Sequence, residues 1–323
     1  MRLSYSAAEV AARRAGAAIG QRHPRLDESL DLARELAADA LTTGAGDDLM
    51  VQVLALEAMA GESVVAAMAA ALHIGAAFAL DGSPFGARLR TGALVGAIAL
   101  SSEVVPGVDR NGRLTGRAMF VAPVTPSGVA VVGARAAEDG LVACAVALDA
   151  PGVSVSLLEP AGLTGLPCAH VDFDGCPTER VGATTPVMAR IRTLVSAVGL
   201  GLGRRALREA LVVARATGLA SAGEQTVQGL LADAATELDA AMLLTWKAAL
   251  RVPPSLPDAS MAKLAVTEAA QGAVARATQV IGIETFSTGH VVAQLARDVR
   301  ALELLAGRTE ALRDAVAEVA LAD

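Results

Sequence analysis

The sequence predicts an α+β protein in three parts: an N-terminal α-helical layer over residues 1–91, a central antiparallel β domain over 92–183, and a C-terminal four-helix bundle over 184–323. Three observations predict it. The apolar period is helical up to about Leu80, changes near Gly92 to short β-branched runs, and returns to helical after Thr184. Gly, Pro, Asp and Asn punctuate the middle segment at turn spacing, whereas Pro253, Pro254 and Pro257 fall where one long helix must end and another begin. Apolar residues make up 53% of the chain and charged residues 19%, which supplies a large layered core and excludes a disordered chain.

Taken in order, HPRLDESLDLARELAADAL carries apolar positions three and four apart, and after a Gly-rich break over 43–47 a second long helical stretch follows. Within it, Ser63 to Leu80 has His73 as its sole titratable residue. That run is rich in Ala and Gly and has Glu57 and Glu62 at its entrance, so it reads as a buried core helix and not as a membrane span. The runs GALVGAIALSSEVV, RLTGRAMFVAPV, GVAVVGARA, GLVACAVAL and GVSVSLLEP then read as strands joined by tight turns. Four helices close the chain, over roughly 186–216, 223–251, 258–283 and 290–321. They are apolar on more than one side, which predicts contact with other subunits as a dimer or tetramer.

Composition excludes several functions. Aromatics are 2% of the chain, and 27 basic against 34 acidic side chains leave a net charge of -7, so nucleic acid lacks both stacking platforms and an attracting field. Cys144, Cys168 and Cys176 form no CxxC pair and sit near no histidine at ligand spacing, so they read as reduced structural thiols and no metal site is expected. Glu9, Arg13 and Arg14 interrupt the Ala-rich N-terminus, which therefore lacks a signal-peptide core, and a cytoplasmic protein is expected. No P-loop, dinucleotide fingerprint or nucleophile elbow is present, and His23, His73, His170 and His290 are scattered.

The C-terminal third carries more specific information. QVIGIETFSTGHVVAQLARDVRALELLAGRTEALR, Gln279 to Arg313, follows without a gap the pattern Q-I-x-G-G-x-G-F/Y, V-E-x-L-x-R-D and Y-E-G-T-x-x-I-Q-R of the acyl-CoA dehydrogenase family. MAKLAVTEAA and LLADAATELDAAMLLTWKAA resemble helices of that family's last domain. NGRLTGRAMFVAP resembles the strand that brings a W-I-T/S triplet to the flavin, and VDFDGCPTERVG the segment that closes the β domain. The resemblance implies the three-part fold, FAD as cofactor, an acyl-CoA thioester as substrate, and a glutamate that takes the α-proton while hydride leaves for the flavin.

Several positions depart from that pattern. Leu305, Ala306, Gly307 and Arg308 stand at Y-E-G-T, so Ala306 occupies the place of the usual base; at the family's alternative position, before the arginine matched by Arg192, stands Ile191. Glu303 and Glu310 lie three or four residues from Ala306 and are the candidate substitute bases. On the cofactor side the candidates are Gln279, Gly282, Ser101 in ALSSEVVPG, Phe120 in place of W-I-T/S, and Gly307. The R-x-x-F-G motif is replaced by ATGLASAGEQ, Glu284 would repel a phosphate, and the N-terminal layer is short. Arg297 and Asp298 are expected to pair and stabilise the fold. Three readings follow: the degenerate subunit of a heteromeric FAD-dependent acyl-CoA dehydrogenase, partnered by a full-length paralogue and possessing room for a bulky, steroid-like thioester; a self-sufficient dehydrogenase with a relocated base; or a flavin-free scaffold or binding protein of the same fold.

Overall fold

A computed structural model describes residues 5–26, 29–42, 48–100, 105–218 and 225–322. The α+β architecture is as the sequence predicts, with two helices outside the stretches the periodicity singles out, over 7–22 and 86–90. Ser6 caps α1 (Ala7–Arg22): its hydroxyl accepts the Glu9 N–H, and the Glu9 carboxylate accepts the Ser6 N–H, closing a capping box. Next come α2 (Ser29–Ala38), α3 (Leu49–Ala60), capped by Asp48, and α4 (Val64–Ala79), capped by Ser63. Glycine lets α1 lie almost backbone to backbone on α3. A Cβ at Gly16 would stand 2.0 Å from the Ala55 carbonyl oxygen, and one at Gly20 would stand 2.6 Å from that of Met59.

The Ser63–Leu80 run is the buried core helix α4, from Val64 through Ala77 shielded on every side. Among the described residues no helix is long and apolar enough to cross a membrane. Its one titratable residue, His73, accepts the Gly96 N–H on Nδ1 at 3.1 Å, and burial pushes its pKa down to about 4, so a neutral imidazole ties this helix to the first strand.

After the short α5 (Gly86–Arg90) the chain enters an eight-stranded sheet: β1 (Gly96–Ala99), β2 (Gly107–Val108), β3 (Arg113–Val121), β4 (Val129–Ala136), β5 (Gly140–Ala147), β6 (Val153–Leu158), β7 (Cys168–Pro177) and β8 (Glu179–Ala183). The order is β6-β7-β3-β2-β4-β5-β8, with β1 also on β4. The predicted antiparallel sheet is therefore corrected to a mixed one. β1 runs parallel to Val129–Val132 of β4 and β2 parallel to Arg135–Ala136, because the β2–β3 hairpin turns the chain back before β4 sets out. Short-range turn signals reveal hairpins; a parallel neighbour is decided by the path of the crossover.

The bundle consists of α6 (Thr184–Ala216), α7 (Gln225–Leu250), α8 (Leu256–Ile281) and α9 (Val291–Leu304), with a 3-10 turn over Gly282–Phe286 between the last two. The single helix predicted over 290–321 is corrected to two. Ala306 at φ 59° and Gly307 at φ 113° lie in left-handed backbone and end the helical path, after which α10 (Thr309–Ala322) packs on α8. The largest core runs from α3 and α4 into α6, with Val53, Leu54, Met59, Met68, Leu194 and Leu202 wholly buried. A second cluster fills one face of the sheet, and Cys144, Cys168 and Cys176 are all free, buried thiols.

Candidate functional site

The three parts of the chain meet around a cavity of about 490 Å³. α4 contributes Leu72; β1 and the residue after it contribute Ile98–Leu100; the end of β3 contributes Met119 and Phe120. The loop between β6 and β7 lays Pro160–Leu163 across it, α6 supplies Met188, Ile191 and Val195, and α9 with its following turn supplies one wall down to Ala306. The described wall is almost wholly hydrocarbon. Its polar side chains are Arg297, Arg300 and the Cys168 thiol, and no aspartate or glutamate is among them.

Arg297 and Asp298 do not form the expected direct ion pair. The two side chains leave the helix in different directions: the Arg297 guanidinium donates to the Gln294 amide oxygen, whereas Asp298, buried, accepts the Leu163 N–H at 2.6 Å and the Gln294 amide N–H at 2.7 Å. Burial pushes the Asp298 carboxyl up, against the pull of those hydrogen bonds. Gly162 presses on the same helix, where a Cβ would lie 2.2 Å from the Arg297 carbonyl oxygen. Asp298 and Gly162 thus clamp the β6–β7 loop to α9 over the cavity.

Below the opposite end of α9 two cations grip carbonyl oxygens. Arg192, half-buried, donates from Nε to the Ala306 carbonyl at 3.0 Å and from Nη1 to the Ser260 hydroxyl at 2.6 Å. Lys263, 1% exposed, donates from Nζ to the Leu302 carbonyl at 2.6 Å and the Thr267 hydroxyl at 2.9 Å. Burial first, and the neighbouring guanidinium second, push the Lys263 ammonium down to about 7. Both residues satisfy the free carbonyls of a helix C-terminus, where a positive charge is favoured. Lys263 escaped sequence reasoning. The available signal was a lysine, one of two in the chain, set into the otherwise small and apolar run MAKLAVTEAA.

The other predicted site residues are dispersed. Ala306 lines the cavity, and Gly307 sits behind it against Arg192, where a Cβ would approach Nη2 to 3.0 Å. Glu303 is outside the wall, its Oε2 accepting from Gln271 and Arg300, and Glu310 is exposed in the first turn of α10, across the break that separates it from the helix of Glu303. Phe120 lines the mouth, 53% exposed, at φ 54° in a bulge where the β3–β7 register shifts, with its ring edge-on to His170. Gln279 and Gly282 stand on the exposed end of α8, outside the cavity, beside Ile283, which is 80% exposed. Ser101 lies outside the described residues, as does most of the stretch that replaces R-x-x-F-G.

A helical layer, a β domain and a helical bundle around an apolar cavity define a three-part α+β fold. The family model described as "Acyl-CoA dehydrogenase, C-terminal domain" matches residues 182–321. Benzylmalonyl-CoA dehydrogenase of Aromatoleum aromaticum is 30% identical over 230 residues, 65% of this chain and 61% of that protein. The human mitochondrial short-chain specific acyl-CoA dehydrogenase is 30% identical over 197 residues, 55% of this chain and 47% of that one. The chain thus spans about half to three fifths of the length of these curated relatives. In fold it is similar over 99% of its length to butyryl-CoA dehydrogenase of Megasphaera elsdenii, at a TM-score of 0.85 and 17% identity with all of that chain covered. A structure described as PigA with FAD and proline gives 0.86 at 17% identity, with both chains covered in full. Over residues 182–321 the chain matches the acyl-CoA dehydrogenase family, and over its whole length it has the fold of that family's solved members.

Among the described residues, the donor set around the cavity does not fit the FAD that the resemblance implies. The polar edge of a flavin ring requires partners once it is buried, and the described wall offers from its side chains only two guanidiniums and a thiol. The segment resembling the family's Q-I-x-G-G-x-G pattern lies outside the cavity, with Ile283 and Glu284 exposed beside Gly282, and an anionic pyrophosphate gains nothing from that carboxylate.

Proposed function

We propose that this chain is the degenerate subunit of a heteromeric, FAD-dependent acyl-CoA dehydrogenase, working in the cytoplasm beside a full-length paralogue on a CoA thioester. The observation that carries the reading is the cavity wall. A proton can be taken from a thioester's α-carbon only by a base within reach of it, and here Ala306 stands at the base position while every described lining residue lacks a carboxylate. Glu303 is engaged by Gln271 and Arg300 outside that wall, which tells against a relocated base.

The fold around the lost base is nevertheless kept in repair by Arg192, Lys263 and the Asp298 clamp. A chain that keeps its scaffold without its acid–base equipment is suited to assembly. Its exposed α8 end, with Gln279, Gly282, Ile283 and Phe286, faces outward where a partner subunit and its flavin would be met. A steroid-derived thioester is the substrate class we assign to the heteromer.

The purified chain alone should hold well under one FAD per chain, and flavin should appear in stoichiometric amount only on co-expression with the full-length paralogue, read from visible absorbance of the gel-filtered species. A yellow, fully flavinylated homo-oligomer would overturn the reading. Ala306→Glu should restore no acyl-CoA oxidation to the isolated chain in a dye-reduction assay, because a base typically contributes ~10² to 10⁴ in rate only within a complete site. Even slow turnover would indicate that a competent flavin site survives.

A further inference from the structure

The cavity is retained where the catalytic groups are not, and its chemistry describes a ligand of its own. At about 490 Å³ it lies within the range of small-molecule pockets, roughly 300 to 1,000 Å³. Its interior is closed by Leu72, Ile191 and Val195, and its mouth is apolar as well: Phe120 is 53% exposed and Leu304 is 64% exposed. An apolar surface open to water in this way gains free energy when a hydrocarbon covers it, at roughly 25 cal/mol per Å².

Among the described residues of the wall, one charge is available to a ligand. Arg300 already bonds the Glu303 carboxylate at 3.0 Å. Arg297 gives its hydrogen bond to the neutral Gln294 amide, and the carboxylate next to it in sequence is occupied with the Leu163 N–H and the Gln294 amide. A half-buried guanidinium at the edge of an apolar cavity with no carboxylate among its described lining residues matches a carboxylate, which it can bind through two parallel N–H donors.

We propose that this cavity is a flavin-free binding site for an apolar monocarboxylate, its hydrocarbon body lying between α6, α9 and the sheet and its carboxylate on Arg297. The site is independent of the subunit reading except that both require the cavity to be without flavin.

The test uses the whole chain, purified alone, titrated with the fluorescent polyene cis-parinaric acid and with its neutral alcohol. The acid should bind with one-to-one stoichiometry and should not be displaced by FAD. Arg297→Gln should weaken the acid about five- to twentyfold, the scale of a charge-assisted contact at a partly exposed site, and leave the alcohol nearly unchanged. Ala301→Trp, which fills the cavity from α9, should abolish binding of both while the circular dichroism spectrum is kept. Should Ala301→Trp fail to fold, the acid–alcohol difference in Arg297→Gln decides. Binding untouched by Arg297→Gln, or absent altogether in a chain that still assembles with a full-length paralogue, overturns this proposal and leaves the subunit reading standing. Stoichiometric FAD uptake by the lone chain that displaces the acid overturns both.

Discussion

Two buried ionisable side chains, Glu57 on α3 and Lys263 on α8, hold opposite signs of charge and are handled differently. Glu57 is 3% exposed and faces Arg204 across the α3–α6 contact at 3.0 Å, so its charge is answered by a charge. Burial still pushes its carboxyl up more strongly than Arg204 and Arg13 pull it down, and its Oε2 has no hydrogen-bond partner. Lys263 is hydrogen-bonded to a carbonyl and a hydroxyl, with Arg192 close enough to oppose its charge more than Glu303 supports it. In both cases the interior favours the neutral form. The comparison teaches that the first site is a packing contact tolerant of an uncharged residue, whereas the second is a helix terminus whose carbonyls need donors.

The variant that reverses charge at the first site breaks the comparison most severely. Glu57→Lys sets a buried ammonium against Arg204 and Arg13 and should cost about 3–5 kcal/mol in chemical denaturation, or leave the chain insoluble. Wild-type stability at such a variant would mean that the side chain escapes to water.

Lys263 provides the next effect, and its sign is fixed by proton counting. The folded value is about 7 and the ordinary one 10.5, so between them the unfolded chain binds more protons and stability rises as the pH climbs. The three thiols act in reverse, being raised by burial above an ordinary 9.0, and begin to lower stability only near and above that pH. Denaturation midpoints should therefore rise from pH 7 to 9, and Lys263→Met should flatten that rise while losing about 1–3 kcal/mol for the unpaired Leu302 carbonyl. An unchanged slope would assign the titration elsewhere. Glu57 tilts the other way: the contribution of its raised carboxyl is present in acid and is lost as pH rises through the folded value, so Glu57→Gln should remove that loss and change neutral-pH stability by less than about 1 kcal/mol.

The smallest effect belongs to the turn gripped by Arg192. Ala306 has a Cβ in left-handed backbone, so Ala306→Gly should stabilise by about 0.5–1 kcal/mol, visible as a rise in Tm. A loss instead would mean that the methyl's contact with the cavity wall outweighs the strain.

What the sequence made legible follows from range. The switch of period near Gly92 and Thr184 marked where helix gives way to sheet and returns, because those patterns repeat within one element. The run from Ser63 to Leu80 was readable as core because nothing in it needs water except His73. The parallel pairing of β1 with β4, the break at Ala306 and the reach of Asp298 to Leu163, 135 residues away, depend on partners that no local window contains. Of the candidate site, the resemblance marks Ala306 as the place of the family's base, and the structure sets that residue in the cavity wall. The cationic support beneath it was half visible, since Arg192 drew notice through resemblance and Lys263 did not.

Arg192 holds the end of α9 through the main-chain oxygen of residue 306. Every amino acid presents that oxygen, so the bond is blind to the side chain it secures. Folding and chemistry are thereby uncoupled at this position: a lineage could exchange a carboxylate for a methyl here without the scaffold registering the loss, and sequence drift would meet no opposition from stability. A catalytic residue seated on an identity-free anchor is among the easiest to lose and among the easiest to put back.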